Sequence, residues 1–66
     1  MFLIPVNSSA IRAVGYNPLT RMLSVLFHTS DTVYDHPGVP ASVYLALMAA
    51  ASIGVYYAKH IRGKYK

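Results

Sequence analysis

Between Asp35 and Lys59 the chain carries no formally charged side chain, and beyond Ala58 four cations follow within eight residues, Lys59, Arg62, Lys64 and Lys66. An apolar block of this length has two fates. It crosses a bilayer, which takes roughly 20 apolar residues in one helix, or it folds back and buries itself against the rest of the chain. Its own residues favour the second. Pro37, Gly38 and Pro40 shorten the usable helix, Ser42, Ser52 and Gly54 interrupt it, and alanine, a weak membrane residue, dominates what remains. The expectation is two short packed helices. The alternative is a small single-span membrane protein with its cationic end on the cytoplasmic side.

Within the block, Pro40 suits the first position of a helix, where a missing N–H costs little. Val43, Leu47 and Ala50 follow at helical spacing, with Tyr44 and Met48 beside them. Ser52 then suits the cap of a second helix, accepting from N–H groups two or three residues on. Ile53, Tyr57 and Ile61 form its apolar stripe, with the small residues Gly54 and Ala58 beside it. Lys59 and Arg62 point away from the stripe, His60 is expected to be partly buried, and Gly63 suits the C-terminal stop.

Upstream, the pattern changes to strands. Met1 to Val6 is apolar, but no cation precedes it and Pro5 interrupts it, so it is too short for the core of a signal peptide. It reads as ordered chain or a short edge strand, where proline is tolerated. After the polar break Asn7-Ser8-Ser9, Ala10 to Tyr16 is a first strand, ended by Asn17-Pro18. Arg21 to His28 is the clearest strand. Leu23, Val25 and Phe27 share one face, and Met22, Ser24, Leu26 and His28 the other. That second face is half apolar: either Met22 and Leu26 meet a second copy or another protein, or they are the scattered surface hydrophobes that folded proteins commonly show. His28-Thr29-Ser30-Asp31 reads as a hairpin turn and Thr32 to His36 as a third strand stopped by Pro37-Gly38. Strands joined by such short links pair most simply as an antiparallel meander. The fold class is therefore α+β: a three-stranded antiparallel β-meander followed by two short C-terminal helices packed on one face. The 66 residues form one domain, with residues 1–6 as an apolar N-terminal segment and 63–66 as a basic tail.

The absence of cysteine excludes disulfides and thiolate metal sites and makes a cytoplasmic location the easier reading. A hydrophobic content of 55% is too high for disorder, and generous enough for so small a chain to suggest a partner. His28, His36 and His60 match no zinc spacing. Asp35 and His36 are neighbours on a strand and so point to opposite faces. No nucleophile elbow, phosphate loop or dinucleotide fingerprint is present. The expectation is a chain that is not an enzyme and takes no metal or cofactor.

The remaining signal is a net charge of +4 and six tyrosines. Flat rings beside cations suit single-stranded nucleic acid or nucleotides, because bases stack on the rings and Lys or Arg meets the phosphates. Lys59, Arg62, Lys64 and Lys66, with Tyr65 among them, are the candidate phosphate-binding residues, although a basic end is more commonly a solvated tail. Tyr44 and Tyr57 read as core. Tyr16 and Tyr34 read as surface rings, with His36 as a third stacking group.

Taken in order, Asn7-Ser8-Ser9, Val14-Gly15-Tyr16, Leu23-x-Val25-x-Phe27, Val33-Tyr34, Gly38-Val39-Pro40, Val43-Tyr44, Ser52-x-Gly54 and Ile61-Arg62-Gly63-x-Tyr65 resemble the KTSC domain. This small domain is named after the C-terminus of some lysyl-tRNA synthetases and also occurs alone in bacterial and phage proteins. The resemblance runs from about Asn7 to Tyr65. It implies a compact meander followed by helix and points to RNA binding. The half-apolar second sheet face and the high apolar content give the alternative, a phage or bacterial interaction protein that acts as a homo-oligomer and sequesters a nucleotide signal or binds a host protein. Two positions depart from the family pattern. A tyrosine-x-tyrosine pair is replaced by Tyr34-Asp35-His36, and the asparagine expected after the last helix's aromatic is replaced by Ala58.

Overall fold

In a computed structural model, which describes residues 3–65, four strands and two helices follow one another along the chain: β1 (Ile4–Pro5), β2 (Ile11–Asn17), β3 (Met22–Phe27), β4 (Val33–His36), α1 (Ala41–Ala49) and α2 (Ile53–His60). The sheet is antiparallel in the order β1-β2-β3-β4. It has four strands rather than the expected three, because the proline-interrupted N-terminal segment pairs with β2, Ile4 opposite Val14 and Pro5 opposite Ala13. Proline fits there because β1 is an edge strand.

Register places alternate residues on the two faces. Val14 lies opposite Val25, and Val25 opposite Tyr34; Tyr16 lies opposite Leu23, and Leu23 opposite His36. All of these face the helices. A bulge between Ile11 and Ala13 adds one residue, so that Ile11 also turns inward, opposite Phe27. Ile11, Val14, Leu23 and Val25 pack with Val39, Leu47, Ile53, Tyr57 and Ile61 into one core cluster, so both helices lie on one face of the sheet. The outer face is built from small residues at its centre, Ala13, Gly15 and Ser24, with Met22, Leu26 and Val33 around them. Ser24 donates to Asp35 Oδ1 at 2.6 Å on this face.

The apolar block breaks where its sequence suggests. Ala, Leu and Met are strong helix formers and carry α1, but its flank is extended at Ala50 (φ −67°, ψ 144°) and again at Ser52 (φ −129°, ψ 106°). The Ser52 hydroxyl accepts from the Val55 N–H at 3.4 Å and caps α2. Pro40 is the residue before α1 rather than its first, with its carbonyl accepting from Val43 and Tyr44. No helix among the described residues is long and apolar enough to cross a membrane; the nine residues of α1 span about 14 Å.

Two local features seat α2. Gly54 sits close to the β1–β2 loop, where an added Cβ would come 3.1 Å from Ala10 Cβ. After α2 the chain turns through Gly63 at φ +84°, a left-handed conformation that glycine adopts without steric cost. The Lys64 and Tyr65 N–H groups then return to the Ile61 carbonyl.

Candidate functional site

A cleft of about 350 Å³ lies between the β3–β4 hairpin and α2 with the turn that follows it, lined by Phe27, Thr29, Ser30, Tyr34, His36, Tyr57 and Arg62. Each element supplies its part for a local reason. β4 is an edge strand, so Tyr34 stays 45% exposed although it points to the helix side. The hairpin turn brings Thr29 and Ser30 into the lining. The Ile53, Tyr57, Ile61 stripe turns Tyr57 inward and leaves Arg62 exposed one residue beyond the buried Ile61.

The aromatic wall is ordered by edge contacts. The Phe27 ring meets Tyr34 at 5.6 Å and 74°, and Tyr57 at 5.4 Å and 73°. Edge-to-face packing of this kind is favoured by the ring quadrupoles. His36 closes the floor. Its Nδ1 lies 2.6 Å from the Tyr65 carbonyl oxygen and its Nε2 lies 2.8 Å from the Tyr57 hydroxyl. A carbonyl only accepts, so Nδ1 carries the proton. In the neutral ring Nε2 then accepts from Tyr57. Burial pushes the Tyr57 hydroxyl pKa above its ordinary value; the Arg62 charge pulls it back and Tyr34 adds to the rise. Tyr57 is therefore a neutral donor at neutral pH. No acidic side chain lines the cleft among the described residues, and Arg62 is the cation at its edge.

Tyr34, His36 and Arg62, three of the residues expected in a site, are thus brought together. His36, however, is 9% exposed and both ring nitrogens are engaged, so it is a floor group and not a surface stacking ring. Tyr16 is corrected as well. Its ring stacks on Tyr44 at 4.6 Å and its hydroxyl donates to the Val39 carbonyl at 2.6 Å, so it braces α1 against the sheet, away from the cleft. Tyr65 is half-buried against the core rather than displayed among cations. Lys59 and Lys64 are exposed but do not line the cleft, and Lys66 lies outside the described residues. His60, expected to be partly buried, is exposed beside Tyr56. Met22 and Leu26 are half-buried on the outer face.

Phe27, Thr29, Ser30 and Tyr57 were not legible as site residues. Phe27 and Tyr57 carry an ordinary core signature, and Thr29 and Ser30 an ordinary turn signature. Only the meeting of hairpin and helix makes them neighbours.

Comparison with known proteins agrees with this architecture. The chain is 36% identical over 62 residues to a protein of Tsukamurella paurometabola, covering 94% of this chain and 91% of that one. It is 36% identical over 64 residues to a lysine–tRNA ligase of Nostoc sp., covering 97% of this chain but 11% of the enzyme. The crystal structure of a KTSC domain protein from Yersinia pestis superposes with a TM-score of 0.93 at 35% identity, covering 98% of this chain and 90% of that one. The family model of the KTSC domain matches residues 7–65, and the chain belongs to the KTSC domain family.

Proposed function

We propose that this is a non-catalytic module that binds RNA or nucleotides through the cleft at the end of α2. One observation carries the reading: an exposed tyrosine, a threonine, a serine and an arginine line one cleft whose lining holds no acid among the described residues. Rings beside a cation are the elements that single-stranded nucleic acid uses, with stacking worth about 1–3 kcal/mol per base. A relative that is a lysine–tRNA ligase supports the same partner class. The exposed cations Lys59 and Lys64 add attraction at longer range. The reading places the chain in the cytoplasm, where RNA is available.

The test is binding of single-stranded RNA at low salt, followed across a salt titration. Affinity is expected to fall as salt rises, because phosphate contacts release counterions. Replacing Arg62, Lys64 and Lys66 together by alanine is expected to weaken it. Undetectable binding at low salt removes the reading.

A second reading rests on the outer sheet face, where Leu26 lies opposite Val33, itself 41% exposed, and Met22 lies farther along β3, beyond the Ser24–Asp35 pair. It is an interaction protein that pairs with a second copy through this face. Light scattering is expected to give two chains per particle, with Leu26→Asp returning it to one; a monomer at high concentration removes this reading.

A further inference from the structure

The cleft has one cation at its rim and a volume near the lower end of small-molecule pockets, which run from about 300 to 1,000 Å³. A strand-binding groove has a different construction: successive rings and successive cations along a track. Here the exposed ring in the lining is Tyr34, while Phe27 and Tyr57 are seated edge-on behind it. Lys59 and Lys64 stand outside the lining. The floor has no hydrogen bond to spare at His36, because Nδ1 and Nε2 are both committed. Polar recognition is therefore left to the rim. Ser30 Oγ accepts from the Thr32 N–H at 3.0 Å, and its own O–H is left to donate; the Thr29 hydroxyl and the Arg62 guanidinium complete the set.

From this we infer that the cleft takes a single nucleotide unit, its base against Tyr34, its phosphate on Arg62 and its polar edge on Thr29 and Ser30, rather than a run of nucleotides. The inference rests on the nucleic-acid reading above and narrows it to a nucleoside monophosphate. Two sources supply that chemistry: a free mononucleotide, or the phosphate-bearing end of a strand. The base supplies the stacking and the phosphate supplies the charge, so neither half alone is held well.

The experiment titrates the full chain by amide NMR shifts and calorimetry with each nucleoside 5′-monophosphate, the matching nucleosides, inorganic phosphate, and a single-stranded RNA 12-mer with 5′-phosphate, 3′-phosphate or neither. The expected result is saturable binding of a mononucleotide, with shifts at Thr29, Ser30, Tyr34 and Arg62. Nucleoside and phosphate alone are expected to bind at least tenfold more weakly. Salt is expected to weaken mononucleotide binding only by screening, with a shallow slope, since a free nucleotide carries no condensed counterions to release. Tyr34→Ala is expected to lose roughly 5- to 150-fold, the loss of one stacked base. Tyr34→Phe is expected to retain binding, which separates loss of the ring from loss of the fold. Weaker binding of all three 12-mers than of the mononucleotide identifies the free source; preference for a 12-mer with a phosphorylated end over the one with neither identifies the strand end. The inference is overturned if mononucleotides fail while RNA binds with length-dependent affinity and a slope near −2 or steeper, an outcome that leaves the broader RNA reading standing. If neither mononucleotide nor RNA binds, both fall.

Discussion

The Tyr57 hydroxyl is placed where packing and polarity meet. Its ring is 5% exposed and lies edge-on to Phe27 and His36, while its O–H donates to His36 Nε2. Tyr57→Phe keeps the ring and removes the donor, leaving a buried nitrogen without its partner. A loss of about 1–3 kcal/mol is expected, measured by urea denaturation at neutral pH. The same hydroxyl links stability to alkali. Burial raises its pKa above 10.0 in the folded chain, with Arg62 opposing the rise and Tyr34 adding to it. A group whose folded pKa is raised contributes stability that is complete below the unfolded value, about pH 10, and is lost as pH climbs through the folded value. The wild-type chain is expected to lose stability more steeply above pH 10 than Tyr57→Phe. Equal slopes for the two would remove this account. The Ser24–Asp35 contact shows how much pairing the sequence held at this scale. A four-residue turn over His28 to Asp31 puts Phe27 opposite Thr32, and counting back along both strands puts Ser24 opposite Asp35, as observed. The His36 contacts had no such arithmetic, because Tyr57 and Tyr65 reach it from another element across the core.

At the scale of elements, α1 is held by few anchors. Leu47 is its fully buried residue, while Val43, Tyr44 and Met48 are half-buried and Leu45 is 63% exposed. Leu47→Ala is expected to cost about 2–5 kcal/mol. That is a large share of the roughly 3–10 kcal/mol that 66 residues typically provide, so the thermal midpoint of the variant is expected to collapse or fall by more than ten degrees. A second element-level tie is the turn after α2. His36 holds its end through the Tyr65 carbonyl, and Arg62 rides on the same turn. His36→Ala is expected to speed hydrogen exchange at the Lys64 and Tyr65 amides while leaving the β2–β3 amides protected. Unchanged exchange at those two amides would show that the turn holds without the histidine. The helix break itself was legible, since Ser52 is a good cap in an otherwise apolar run. The fourth strand was only half legible: Ile4-Pro5 has the composition of an edge strand, but its pairing with Ala13 and Val14 is a long-range event.

For the molecule as a whole, the Cα radius of gyration is 10.5 Å, close to the roughly 11 Å expected for a compact chain of this length. Small-angle scattering of a monomer is expected to match the scattering curve of this fold, whereas pairing through the outer face raises the radius about 1.3-fold. The two proposals act on opposite sides of the sheet, so Leu26→Asp and Tyr34→Ala are expected to affect association and ligand binding independently. The sequence by itself determined the alternation of strands and helices, the break at Ser52, the helix-facing stripe of α2 and the family, because each rests on local periodicity, capping or short ordered motifs. Tertiary structure decided the rest. Whether Tyr16 or Tyr34 stays open to a ligand depends on which strand lies at the sheet edge and where α1 and α2 end. The cleft exists because the β3–β4 hairpin and the second half of α2 with the turn that follows it, far apart in sequence, meet in the fold and place Tyr34 and Arg62 in one lining.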